Sequence, residues 1–169
     1  MANRIKVVLP NLTSSAQSAF VPGRHIEDNI LIAQDLLRNY HRNATSPRCT
    51  IKVDLLKAYD TVNWQFLLKL LSLLGFQPLF IGWVKECLST VKYSININGE
   101  LVIFFGSSRG LRQGDTLSPY LFVIIMEVLS MIIQKRLKED PSFTYHWRCH
   151  KTKLTHLMFA DDLMLFCGN

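Results

Sequence analysis

FADDLMLF, residues Phe159 to Phe166, sets two adjacent carboxylates, Asp161 and Asp162, between apolar runs. Together with Leu154-Thr155-His156-Leu157-Met158 before it, the stretch reads as two apolar strands joined by a tight acidic turn. A strand pattern also occupies CTIKVDL, Cys49 to Leu55, with Ile51, Val53 and Leu55 on one face and Lys52 and Asp54 on the other. A second hairpin follows from YSININ and ELVIFF, because Asn98-Gly99 between them supplies the positive φ angles of a type I′ turn.

Helical patterns fill the intervals. A short amphipathic piece runs to Leu9, and the polar loop TSSAQSAFVPGR (Thr13 to Arg24) follows. Ile26, Ile30, Ala33, Leu37 and Tyr40 then recur at helical spacing, with Glu27, Asp28, Gln34 and Arg38 facing away. The linker RNATSPR, Arg42 to Arg48, ends that helix. Asp60 is expected to cap a helix through Trp64, Leu67, Leu68 and Leu71 that stops at Gly75. Another spans Pro78 to about Thr90. Ser118 and Pro119 suit the N-cap and first residue of a long helix that ends before Pro141. The expected class is α+β with an antiparallel sheet and packed helices.

Composition narrows the possibilities. The 169 residues are 49% hydrophobic and 19% charged, which excludes a disordered tail. A net charge of +6 favours anionic partners but is also compatible with an ordinary surface. So apolar and basic a chain suggests a piece of something larger, with surface that packs on absent parts. Cys49, Cys87, Cys149 and Cys167 are widely spaced, which argues for an intracellular, nuclear or cytoplasmic setting rather than a secreted one. The cluster His146, Cys149 and His150 lacks the second cysteine pair of a zinc site. The first apolar run, Val7-Val8-Leu9, ends at Pro10, which argues against a signal peptide. No membrane partner is expected either. The run Phe66 to Val84 is broken by Lys69, Gly75, Gln77 and Pro78, and the run Leu117 to Ile133 carries Pro119 and Glu127.

The chemistry rests on three acids. Asp54 closes a strand whose other face is Ile51, Val53 and Leu55, and Asp161 and Asp162 adjoin between Phe159-Ala160 and Leu163-Met164. Adjacent like charges repel, and burial adds a desolvation cost that a bound cation would offset. Carboxylate oxygens suit Mg²⁺, and three such groups on neighbouring strands could hold two ions about 3.5–4 Å apart for phosphoryl transfer. An Asp-Asp pair is also an ordinary choice for a hairpin turn.

Four segments carry a family resemblance. FADDLMLF resembles the Y/F-x-D-D box of reverse transcriptases, and KVDLLKAYD (Lys52 to Asp60) is similar to their first catalytic aspartate motif. GLRQGDTLSPYLF (Gly110 to Phe122) resembles their R-Q-G-D-P-L-S-P segment, and SAFVPGRHIEDNI (Ser18 to Ile30) an upstream fingers-palm motif. The order and spacing resemble the non-LTR (LINE-type) retrotransposon enzymes best, with group II intron reverse transcriptases as relatives.

The resemblance implies a reverse transcriptase palm over residues 49–169, preceded by a fingers-side segment over 1–48. It implies RNA-directed DNA polymerisation, with an RNA template, a DNA primer and deoxynucleoside triphosphates as partners. Asp54, Asp161 and Asp162 would be catalytic and, with the backbone carbonyl of Leu55, would hold two Mg²⁺ ions, Mn²⁺ being an alternative. Tyr59 would lie under the incoming sugar and disfavour a 2′-hydroxyl. Gln113 and Gly114 would border the nucleotide, Gly110 and Gly114 allowing close approach. Arg24, Arg109 and Arg112 are candidates for nucleic-acid contact, or else ordinary surface arginines. Asp60 is expected only to cap a helix, and Glu127 to be satisfied at a helix edge. Phe20, Trp64, Phe104 and Phe105 could stack on bases, core packing being the better reading. His25 and His156 receive no role.

The sequence departs from the family pattern at Thr116, where a proline is usual. The family's R-P-I-S-type fingers motif, primer grip and thumb are also missing. Taken alone, the chain is therefore expected to be inactive. A truncated retroelement remnant and a maturase-like RNA-binding module stand as alternatives.

Overall fold

The computed structural model describes residues 1–38 and 48–168. Tyr40 and all but the last residue of the linker expected over Arg42 to Arg48 lie outside the described residues. The chain divides into two compact units: Met1–Leu56 with Pro119–Asn169, and Lys57–Ser118.

The first unit contains helices α1 (Ala2–Leu12) and α2 (Ile26–Leu37), strand β1 (Arg48–Asp54), nearly all of helix α5 (Ser118–Glu139), and strands β4 (His156–Phe159) and β5 (Asp162–Gly168). Its sheet has the order β1-β5-β4, with both pairings antiparallel. The acidic hairpin is therefore β4–β5, and β5 is the central strand. Leu157 and Phe166 are buried together with Leu36 and Cys149, and Ala33, Leu154 and Met164 pack against them. Leu121, Phe122, Val123 and Ile124 bury one stretch of α5, while Ile5 and Leu9 bury α1. That burial carries α1 through Pro10, one turn past the expected end at Leu9. A proline in the last turn removes only one helical hydrogen bond, which the apolar face outweighs.

Arg24 braces the expected polar loop from inside. Its Nη1 donates to the carbonyls of Ser14 and, at 2.6 Å, of Gln17, and its Nη2 donates to that of Thr13 at 3.1 Å. The loop is tied to α5 by Glu127, whose Oε2 accepts from the Ser14 backbone N–H at 2.9 Å and from its hydroxyl at 3.1 Å. Burial pushes the Glu127 carboxyl up from its ordinary value, opposed by the Ser14 hydrogen bonds and the Arg24 charge. Ser130 then links Ser14 to His156, whose Nε2 lies 2.9 Å from the Ser130 hydroxyl and whose Nδ1 lies 2.8 Å from that of Thr155.

The second unit holds helices α3 (Trp64–Leu73) and α4 (Pro78–Ser89) and the hairpin of strands β2 (Lys92–Ile97) and β3 (Glu100–Gly106). Leu67 and Leu71 of α3 and Phe80 and Val84 of α4 are buried. Asn63, not Asp60, caps α3: its side chain accepts from the Phe66 N–H at 2.9 Å. Asp60 sits three residues earlier, in the turn after β1, whereas Asn63 directly precedes the first helical residue, the position from which a cap side chain meets the first turn's N–H groups. Asn98 and Gly99 have φ of 51° and 93°, as the expected hairpin turn requires. Phe104 and Phe105 are not core residues. They are 67% and 48% exposed on β3, beside a register shift at Ser94/Ile95.

No helix among the described residues is long and apolar enough to cross a membrane.

His156 makes stability depend on pH. Burial lowers its pKa in the folded state, so on acidification the unfolded chain takes up the proton first and stability falls below about pH 6.5. His146 shifts the same way, from burial and the Arg48 and Arg148 charges. Glu127 acts oppositely, because its raised pKa favours folding at lower pH. The test compares thermal midpoints of the native chain and His156→Asn between about pH 7 and 5. The variant is expected to lose part of the acid-side decline.

Candidate active site

β1 and β5 pair from Arg48 opposite Gly168 to Asp54 opposite Asp162. The two carboxyl-bearing residues are thus direct cross-strand partners at the end of the ladder, on one face of the pleat. Asp161 precedes Asp162 in the turn, next to Ala160, whose φ of 54° is left-handed. Asp54 and Asp162 are exposed and Asp161 is half-buried, so desolvation is less than the apolar neighbours suggest. The alternation explains this, since Val53 and Leu163 point to the opposite face.

Lys52 shares the face of Asp54, and its Nζ lies 3.4 Å from Asp162 Oδ1. Both side chains are well exposed, and such a pair contributes little stability. Its effect is local, offsetting the repulsion between carboxylates placed directly opposite each other. A cleft of about 200 Å³ opens beside this pair, lined by Ile26, Asn29, Ile30 and Ala33 of α2 and by strand residues including Phe159 and Met164. The Leu55 carbonyl follows directly after β1.

Among the described residues, no group of three or more His, Cys, Asp or Glu side chains is gathered as a metal-binding cluster. The fit to Mg²⁺ lies in donor chemistry and strand placement: oxygen ligands only, two on opposed strands and one adjoining. His146, Cys149 and His150 form no such cluster either.

In the second unit, Tyr59 is half-buried and its carbonyl accepts from the Leu111 N–H at 2.8 Å. Gly110 donates to Val62 O at 2.8 Å, and its own carbonyl receives Trp64 Nε1 at 2.6 Å. The close approach at Gly110 is thus to the chain itself, since an added Cβ would stand 2.9 Å from Asp60 O. Trp64 is correspondingly half-buried and serves as a donor. Arg112, Gln113 and Gly114 are exposed in a turn closed by Asp115 N to Arg112 O. Asp115 Oδ2 accepts from Leu117 N at 3.3 Å and from the Ser118 hydroxyl at 3.2 Å, fixing the start of α5. Arg109 lines a cleft of about 430 Å³ with Lys57, Ser107 and the stacked rings of Tyr93 and Phe105.

The family profile described as reverse transcriptase (RNA-dependent DNA polymerase) matches residues 1–169. The chain belongs to the reverse transcriptase family. It is 34% identical over 134 residues to the Transposon TX1 uncharacterized 149 kDa protein of Xenopus laevis, covering 79% of this chain and 10% of that protein. Over 153 residues it is 29% identical to the retrovirus-related Pol polyprotein from the type-2 retrotransposable element R2DM of Drosophila melanogaster, 89% of this chain and 13% of that protein. This reverse transcriptase chain thus spans between a tenth and a seventh of those relatives' lengths. In fold it is similar to telomerase from Candida tropicalis in complex with a TWJ fragment of telomeric RNA. The TM-score is 0.65 at 18% identity, covering 99% of this chain and 28% of that one.

Of the expected site residues, the structure pairs Asp54 with Asp162 and sets Asp161 beside them. Tyr59, Arg109, Arg112, Gln113 and Gly114 lie in the other compact unit. Two residues escaped the sequence reading. Lys52 was legible in principle, since the alternation already put it on the face of Asp54. Gln17 was visible only as a long polar side chain among Ala16, Ser18 and Ala19.

Two substitutions test this framework. Arg24→Met strands three carbonyls and is expected to destabilise the first unit by on the order of 3 kcal/mol, measured by chemical denaturation. Gly110→Ala, at φ +91° against the Asp60 backbone, is expected to cost on the order of 2 kcal/mol, read as accelerated amide exchange within α3.

Proposed function

We propose that this chain supplies the palm, residues 49–169, and a fingers-side segment, residues 1–48, of a polymerase that extends a DNA primer on an RNA template. The observation that carries the reading is the cross-strand placement of Asp54 and Asp162 with Asp161 adjoining, inside a chain matched throughout to the reverse transcriptase family.

Asp54, Asp161, Asp162 and the Leu55 carbonyl would hold Mg²⁺, which when bound lowers the barrier for attack of a 3′-hydroxyl on a nucleotide's α-phosphate. The protein's own groups do the rest. Lys52 holds the Asp162 carboxylate in place and screens it from Asp54. By the family resemblance, Tyr59 would disfavour a 2′-hydroxyl and Gln113 and Gly114 would border a nucleotide. Exposed Arg109 and Arg112 supply cations for the nucleic-acid backbone. Arg24 is engaged by three carbonyls of the first unit and acts as an internal brace.

Primer extension tests this reading. A polypeptide carrying this chain together with the flanking regions of its open reading frame is expected to incorporate deoxynucleotides on a primed RNA template when Mg²⁺ is present. Asp161→Asn should lower the rate by on the order of 10³-fold. Salt-dependent RNA binding with no incorporation and no response to metal would replace the polymerase reading with a binding module.

A further inference from the structure

The Asp161-Asp162 turn is held from outside its own hairpin. Ala160, the residue before Asp161, has a left-handed φ of 54°, a conformation unfavourable for any residue with a side chain. Such geometry persists only where its surroundings over-determine it. Here the surroundings come from a residue 143 positions away. Gln17 Oε1 accepts from the Ala160 N–H at 3.1 Å, and Gln17 Nε2 lies 3.5 Å from the Ala160 carbonyl. The same Oε1 accepts from the Ala19 N–H at 3.0 Å, which fixes the amide's orientation.

Gln17 is itself fully buried, at 0% exposure. Its backbone neighbours lie along β4: Met158 N donates to Ala16 O at 2.7 Å, and Ser18 N donates to Met158 O at 3.1 Å. Those bonds form a parallel bridge between Gln17 and Met158, in a unit whose strand pairings are otherwise antiparallel. The Gln17 carbonyl also receives Arg24 Nη1 at 2.6 Å. A primary amide suits this place because it can accept from a residue's backbone N–H and donate to the same residue's carbonyl. Neither a carboxylate nor a thioether of similar size does both.

We propose that Gln17 is a positioning residue for the acidic turn: it locks Ala160 in its left-handed conformation and thereby sets where the Asp161 and Asp162 carboxylates stand relative to Asp54. The geometric part stands on the hydrogen bonds alone, while its bearing on metal binding rests on the polymerase reading above. Support of this kind, one step behind the liganding groups, tunes a metal site without touching the ion.

The experiment uses the full chain and needs no turnover. Amide hydrogen exchange and Mn²⁺-induced NMR line broadening at Asp161 and Asp162 are measured for the native protein, Gln17→Met and Gln17→Asn. Met keeps the volume without the amide; Asn keeps the amide but is one methylene too short to reach. Both variants are expected to lose protection at the Ala160 amide by about tenfold, with Leu163 and Met164 on β5 unchanged. The Mn²⁺ concentration for half-maximal broadening should rise by about tenfold in both. Ala160→Gly, which adopts positive φ freely, should recover most of that Mn²⁺ affinity in the Gln17→Met background.

Unchanged Ala160 protection would overturn the proposal. So would a uniform loss of protection across the first unit in both variants, which would make Gln17 a general core residue. Absence of Mn²⁺ broadening in the native chain would instead count against the metal reading and leave the exchange comparison decisive for Gln17.

Discussion

Asp54 stands opposite Asp162 because β1 and β5 pair antiparallel in one register over seven residue pairs, and the facing of these two carboxylates follows from that alignment. Side chains on a strand alternate faces, so a slip by one residue would carry Asp54 to the apolar side and bring Val53 to the site. The register is costly to lose because Leu163, on the face of β5 opposite Asp162, is almost fully buried. The same alignment creates a local penalty, two like charges directly across a ladder. Lys52, two residues before Asp54 and therefore on its face, meets Asp162 and relieves part of it. Solvent supplies the remaining screening, since Asp54 and Asp162 are exposed.

Behind the sheet, a continuous polar ladder joins elements far apart in sequence. Glu127 and Ser130 of α5 meet Ser14, and Ser130 passes the contact to His156 on β4. Arg24 gathers the carbonyls of the same loop, and Gln17 reaches the turn. Buried polar groups are costly when half-satisfied and specifying when complete. The loop that reads as polar and surface-like is therefore an internal fitting between α5 and the acidic hairpin. Thr13 and Gln17 are buried and Arg24 turns inward, where the backbone they serve has little water to turn to.

Elements whose signals are local were legible in the sequence. Period-two alternation marked β1, apolar runs flanking Asp161-Asp162 marked one hairpin, and Asn98-Gly99 marked the other because few other pairs adopt two positive φ angles. Ser118-Pro119 and Pro141 bracketed α5 to within a residue. Where local rules compete, tertiary packing decided. Buried Ile5 and Leu9 carried α1 through Pro10, and Asn63 took the cap of α3 from Asp60. Phe104 and Phe105 look like core by composition yet lie exposed, since a two-stranded hairpin has too little surface to cover both of its faces.

The three carboxylates, the strand that bears Asp54 and the hairpin that bears the other two were determined by the sequence alone, because period, turn chemistry and motif order all lie within short stretches of chain. Only the tertiary structure decided the partner of each group: that Asp54 faces Asp162, that Lys52 pairs with Asp162, that Arg24 turns inward and that Gln17 grips Ala160. Those contacts join residues 7 to 143 positions apart, and hydrogen bonds at that range leave no periodic trace in the sequence. They exist only once the apolar faces have collapsed and brought a loop near one end of the chain against a turn near the other.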